Sequence, residues 1–222
     1  MNKKIIISVL VVILIILAIS VYFITKKGGN SNEKQNVQED AQTEQKEENK
    51  EEKSMYSSGK HHAQIVIKNY GTISLELDAD MAPITVENFA NLVNDGFYDG
   101  LTFHRIISGF MIQGGDPEGN GLGGSNKEIK GEFSANGVKN TISHTRGVIS
   151  MARAQSYNSA SSQFFIMHED APYLDGSYAA FGHVTEGIEI VDKICEDTKV
   201  EDSNGTVLKE NQPVIEKIVM ID

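Results

Sequence analysis

The sequence predicts a mainly β protein: a closed antiparallel β-barrel capped by two α-helices, preceded by a transmembrane helix and a disordered linker. Three observations predict it. Past residue 58 the apolar residues come in short, partly alternating runs separated by glycine-rich turns, the pattern of small antiparallel sheets. Only two segments there repeat at helical spacing, and closing the sheet would remove its exposed edges. Ahead of that region stand one unbroken apolar run and one unbroken polar run, neither of which suits a barrel.

The apolar run, Ile5 to Ile24, holds no charge, proline or glycine. Roughly twenty helical residues at about 1.5 Å each cross the hydrocarbon layer of a bilayer. Lys3, Lys4, Lys26 and Lys27 flank it, and Tyr22 and Phe23 stand at an interfacial position. Residues 1–25 are therefore expected to be a membrane anchor. A cleaved secretory signal is the alternative, because Ala18-Ile19-Ser20 supplies small residues. The run is longer than the usual signal core of about 7–15 residues, which favours the uncleaved anchor. With a free amino group adding charge to the short side, that side is expected in the cytoplasm. The remainder would lie outside the cell membrane as a single-pass protein, or be secreted if the segment is cleaved.

Residues 26–58 are charged and polar, with Val37, Ala41 and Met55 nearly the only apolar side chains. Such a segment buries too little surface to fold, so it reads as a flexible tether. The working domain is expected over 59–222. Strands are expected at Ala63–Lys68 and Thr72–Leu77, turning at Asn69-Tyr70-Gly71. A helix follows from Pro83 through Val86, Phe89, Ala90 and Val93 to a stop at Asn94-Asp95-Gly96. Further strands read near Thr102–Ile107, Phe110–Gln113, Gly147–Ala152, Gln163–Met167 and Ala180–Val184. A second helix around Glu189–Cys195 precedes a last strand, Val214–Ile221.

Charge and cysteine content exclude several functions. The chain carries 20 basic and 31 acidic residues, net −11. Residues 1–57 balance, with eight of each, so the domain holds the whole deficit. An acidic domain repels phosphate backbones, so nucleic acid is not an expected partner. Cys195 is the single cysteine, which excludes an internal disulfide and a Cys-x-x-Cys metal site. His61-His62 are adjacent but His104, His144, His168 and His183 are scattered, so no metal is expected. Gly114-Gly115 and Gly119–Gly124 lack the Gly-Lys-Ser/Thr of a phosphate loop, and turn formation is their expected use. Nothing in the order of residues assembles a Ser-His-Asp triad.

Two blocks carry unusual chemistry: Phe103–Asp116, FHRIISGFMIQGGD, and Ser162–Met167 with Tyr173-Leu174-Asp175-Gly176 and Ala180–Val184 downstream. Strict alternation would put Phe103, Arg105 and Ile107 on one strand face. A guanidinium among large apolar groups is costly unless its head reaches water or a partner. Alternation pairs Phe110 with Ile112 and Met111 with Gln113, and sends Phe164 and Phe165 to opposite faces.

The succession FHRIISGFMIQGGD, SMA, SQFF, LDG and FG closely resembles the cyclophilin family over residues 63–222. The resemblance implies an eight-stranded barrel with two helices and a proline site on its outer face. It implies peptidyl-prolyl cis-trans isomerase activity on proline-containing polypeptides, without a cofactor, in a chain expected to be monomeric. Carried over, Arg105 is the catalytic arginine, aided by Phe110 and Gln113. Met111, Phe165 and Leu174 complete the proline pocket with Phe110. Ala152 and Gln163 line the adjoining groove. Tyr173 and Tyr178 stand where tryptophan and histidine are frequent in the family, which puts tight binding of cyclosporin-class inhibitors in doubt. Arg153 replaces a common asparagine, and a preference for acidic flanking residues would follow. A non-catalytic proline-peptide binding module is the alternative function.

Overall fold

A computed structural model of the protein describes residues 54–222, and the apolar run and nearly all of the polar tether lie outside the described residues. Among the described residues no helix is long and apolar enough to cross a membrane.

Eight antiparallel strands form one curled sheet: β1 (Lys60–Ile67), β2 (Gly71–Asp78), β3 (Thr102–Ile107), β4 (Met111–Asp116), β5 (Val148–Met151), β6 (Phe164–Met167), β7 (Ala180–Glu186) and β8 (Ile215–Met220). Their order across the sheet is β3-β4-β6-β5-β7-β2-β1-β8. The ladder does not close between β8 and β3. The two edges touch through a single bridge, Thr102–Val214, and through backbone bonds from Phe103 to Pro213 and from Ile215 to Leu101. The reason lies in the segment before β8. Residues 205–207 take the free edge of β3, with Ile106 N–H donating to the Gly205 carbonyl and Val207 N–H to that of His104. The expected closed barrel is thus a curled sheet sealed by a loop.

Helix α1 (Pro83–Asn94) begins at a proline, whose missing N–H suits the first turn. Its cap residue, Ala82, offers no acceptor. Glu132 does this from a distant loop: its carboxylate accepts from the N–H of Ile84 and Thr85 and from the Thr85 hydroxyl, at 3.1, 2.8 and 2.7 Å. That satisfies orphan donors and places negative charge at the positive end of the helix. Helix α2 (Ile188–Asp197) buries Ile190, Val191 and Ile194.

The sheet has two apolar faces with different uses. Inside, Phe89 of α1 packs against Tyr98, Phe164 and Phe181, with ring centroids 5.3, 5.8 and 5.3 Å away. Outside, a smaller cluster gathers Met111, Val148, Phe165, Met167, Ala171, Leu174 and Ala180. Packed structure begins earlier than the expected boundary at residue 59. A 3₁₀ turn at Met55–Ser57 buries Tyr56 in the main core, edge-on to His61.

Candidate active site

Alternation alone does not place Arg105. A β-bulge interrupts the β3–β4 pairing, so that Phe103 faces Gly114 and Arg105 faces Gln113 with His104 between them. The extra residue turns Phe103 into the core while Arg105 and Ile107 emerge on the outer face. The expectation that Phe103 shares a face with Arg105 fails for this reason. Phe110 escapes alternation because it sits in the turn just before β4. It therefore lines the same side as Met111, while Ile112 goes to the core. Phe164 and Phe165 do point to opposite faces.

Arg105, Phe110, Met111, Gln113, Ala152, Phe165, Leu174 and Tyr178 surround one hollow of about 240 Å³ on the outer face, with Arg153 completing it. Gln163 lines the adjoining groove, of about 330 Å³, rather than the hollow. Tyr173 lines neither. It is 72% exposed and stacks on the outside of Phe110 at 6.1 Å, because the 3₁₀ turn Pro172–Leu174 directs Leu174 inward and its neighbour out.

The guanidinium is held in place without being neutralised. Its Nε donates to the Asn204 carbonyl at 2.8 Å and its Nη1 to Gln113 Oε1 at 3.2 Å, and among the described residues it forms no ion pair. Gln113 Nε2 donates to Gln163 Oε1 at 2.9 Å. Gln163 Nε2 donates in turn to the carbonyls of Gly121 and Gly123. Those carbonyls belong to a loop wrapped on Asp116, whose carboxylate accepts from the N–H of Glu118, Asn120 and Gly121 at 2.8, 3.0 and 2.6 Å. Burial alone would push the Asp116 carboxyl up, but these backbone donors hold it below the usual carboxylate range. The glycines of 119–124 thus let a loop coil around a carboxylate. Gly114 and Gly115 do not make a turn at all. They lie in β4, and a Cβ on Gly115 would fall 2.6 Å from the Ser162 carbonyl oxygen.

Arg153 makes contacts within the fold that its place in the sequence did not suggest. Its guanidinium sits 5.3, 5.0 and 4.7 Å from the ring centres of Phe133, Tyr157 and Tyr178. Nε and Nη2 donate to the Ser177 carbonyl and Nη1 to those of Ala154 and Gln155. With its donors so used and its face covered by aromatic rings, it braces Tyr178 rather than reaching for an acidic peptide. Among the described residues, no group of three or more His, Cys, Asp and Glu side chains is placed to hold a metal ion.

The profile described as "Cyclophilin type peptidyl-prolyl cis-trans isomerase/CLD" matches residues 62–220. The chain belongs to the cyclophilin-type peptidyl-prolyl isomerase family. Among its relatives, peptidyl-prolyl cis-trans isomerase B of Bacillus subtilis is 44% identical over 145 residues, covering 65% of this chain and 92% of that protein. A peptidyl-prolyl cis-trans isomerase of Helicobacter pylori is 48% identical over 128 residues, covering 57% of this chain and 76% of its own. A cyclophilin-type isomerase of Cryptosporidium parvum, crystallised in the presence of the dipeptide Ala-Pro, superposes with a TM-score of 0.64. It is 32% identical, and the match covers 72% of this chain and 99% of that one.

Proposed function

We propose that this cyclophilin is a foldase tethered to the outer side of a membrane, turning X–Pro bonds in unfolded or exported polypeptides. One observation carries the catalytic part of the reading: an unneutralised guanidinium held at the edge of an apolar hollow. Rotation about an X–Pro bond breaks amide resonance against a barrier of about 18–20 kcal/mol. As resonance is lost, the prolyl nitrogen becomes pyramidal and gains a lone pair. A donor already in position then binds the twisted amide better than the planar one, which is what accelerates the step. Arginine suits the task because it stays charged and its planar fork can be fixed from two sides.

Phe110, Met111, Phe165 and Leu174 would grip the proline ring while the chain ahead of it turns. Gln113 spends one side-chain N–H on Gln163 and keeps the other for a substrate carbonyl. A binding module without turnover would gain little from an unpaired cation beside its apolar site, since that desolvated charge helps only when a lone pair develops. The tether and anchor are supported by the uninterrupted run Ile5–Ile24 and the charged stretch after it. Isomerase activity of the full chain in detergent micelles tests the chemistry: no acceleration of a proline tetrapeptide would leave the binding module. Alkaline extraction of membranes and protease access in intact cells test the anchor and its orientation. Release from the membrane fraction by alkali would refute the anchor.

A further inference from the structure

The turn between β3 and β4, residues 108–110, supplies Phe110 to the hollow but belongs to neither strand. One bond closes it locally, from the Phe110 N–H to the Ile107 carbonyl, and Gly109 bends it with a φ of 78°. The other hydrogen bonds to this turn, among the described residues, come from just past β6. The N–H groups of His168 and Glu169 both donate to the Phe110 carbonyl, at 2.9 and 3.4 Å. The His168 side chain reaches back to the turn, with Nδ1 2.8 Å from the Gly109 nitrogen and Nε2 3.1 Å from Asp192 Oδ1 on α2. A backbone N–H only donates and a carboxylate only accepts. Both contacts therefore require the same neutral tautomer, bare at Nδ1 and protonated at Nε2.

That imidazole is itself fixed. Arg146 donates through Nη2 to the Asp192 carboxylate at 2.8 Å and through Nη1 to the His168 carbonyl at 2.6 Å, while its own N–H donates to Asp170 at 2.7 Å. The His168 side chain is only 14% exposed. His168, Arg146 and Asp192 stand outside the residues that line the hollow, so the chemistry described above gives them no work. What they share is the place of one aromatic ring. Phe110 is held from behind through the backbone of its turn and covered outside by Tyr173.

We propose that His168 is a positioning residue for isomerisation: by accepting from Gly109 and donating to Asp192 it pins the β3–β4 turn to α2 and so sets Phe110 as a wall of the proline hollow. The proposal rests on the isomerase reading of the hollow. A proline ring packs on Phe110 before and during rotation alike. A slack wall therefore weakens binding throughout, which shows in KM and leaves kcat nearly unchanged. A merely architectural His168 would lower the melting temperature whichever polar atom it lost, and leave KM alone. One net hydrogen bond corresponds to about fivefold in an equilibrium, which sets the scale to look for.

Two amide side chains separate the two contacts. Asparagine carries its oxygen where Nδ1 stands and can accept from Gly109. Glutamine carries its NH₂ where Nε2 stands, so it can donate to Asp192 but leaves Gly109 without its acceptor. The test compares His168→Asn, His168→Gln and His168→Leu with the wild type, as full chains in detergent micelles. The readouts are kcat and KM for a proline tetrapeptide, melting temperature, and the amide resonance of Gly109 with its rate of exchange with water. His168→Gln and His168→Leu are expected to raise KM about fivefold, with kcat within about threefold of wild type. Both should shift the Gly109 amide and speed its exchange, while His168→Asn keeps the amide protected and KM within about twofold. If His168→Leu fails to fold, the Asn and Gln variants carry the comparison alone. A folded Gln variant with KM within about twofold of wild type overturns the proposal, as does an equal rise in the Asn and Gln variants. An inactive wild type would instead sink the isomerase reading. The Kd of the same peptide, from NMR titration, then decides: binding about fivefold weaker in Gln but not in Asn supports the pinned wall, and equal binding overturns it.

Discussion

Replacing Arg105 with alanine isolates the donor from the hollow it serves. The side chain is half-buried, donates to Asn204 and Gln113 and pairs with no carboxylate, so its removal leaves no buried charge behind. Stability should change by no more than about 1 kcal/mol, the scale of ordinary hydrogen bonds. The apolar walls are untouched, so KM for a proline tetrapeptide should move by less than about threefold. Turnover should not survive so well. Losing one preorganised transition-state donor costs about 10²–10³ in kcat, or roughly 2.7–4 kcal/mol. Arg105→Lys sharpens the test. A lysine keeps the charge but cannot donate to Asn204 and Gln113 from a fixed plane, so it should recover less than about a tenth of the lost rate. Exchange spectroscopy on the cis and trans peptide, at saturating substrate, measures kcat without a coupling enzyme. An alanine variant with kcat within threefold of wild type would refute the assignment of Arg105. A large rise in KM at constant kcat would show instead that arginine serves ground-state binding.

Four further outcomes follow from the geometry. Burial holds His104 and His144 below their usual 6.5, so both are neutral in the fold and gain protons on unfolding. Their contribution is complete above the unfolded value and is lost as pH falls through it towards the lower folded value. The melting temperature should therefore drop between about pH 7.5 and about pH 5, and an unchanged value would contradict the burial of neutral rings. His104→Phe should flatten that drop and stabilise by about 1 kcal/mol, since both His104 nitrogens are buried without a partner; a destabilised variant in chemical denaturation would count against this. Burial, with Asp192 nearby, pushes the Cys195 thiol up to about 12, so a maleimide should label it at pH 7 only under denaturing conditions; prompt labelling of the native protein would show that α2 opens. Arg153→Ala should raise KM about threefold to tenfold by freeing Tyr178, while wild type turns over peptides with Glu or Lys flanks alike. A marked preference for the Glu flank would restore Arg153 to the substrate.

The legible part of this molecule was the part written in local pattern. Alternation and turn residues located the strands and both helices to within a few residues, and Asn69 and Gly71 do turn the chain with positive φ. What stayed hidden depends on residues far apart in sequence. Nothing local marks Glu132 as the cap of a helix that starts 49 positions earlier, at Pro83. Residues 205–207 occupy the edge of β3 through backbone groups, which composition does not reveal. The hollow was assembled in advance only through the resemblance. Read as residues, alternation separated Phe110 from Met111, and Arg105 was only a guanidinium whose head needs water or a partner. Position in a motif also gave no side-chain direction for Tyr173 and Arg153. A one-residue step in a 3₁₀ turn sends Tyr173 out, and an aromatic cage draws Arg153 in.

The β3 bulge links the fold's clearest defect to its function. A regular strand would carry Phe103, Arg105 and Ile107 outward together and give the core face to His104. The inserted residue lets Phe103 enter the core and still brings Arg105 out opposite Gln113, where the network from Asp116 can fix it. The residue that absorbs the irregularity is His104, which ends buried with neither nitrogen bonded. An unsatisfied buried polar group costs about 1–3 kcal/mol, and strain of that size concentrates where geometry is set by function. Deletion of His104 would join Phe103 directly to Arg105, and regular alternation would still send Phe103 inward and Arg105 outward, so kcat should survive in molecules that fold. His104→Phe should keep the aim of Arg105 and therefore kcat. A His104→Phe variant with a stable fold but about a hundredfold lower kcat would show that the imidazole takes part in the chemistry directly, and the bulge argument would fail.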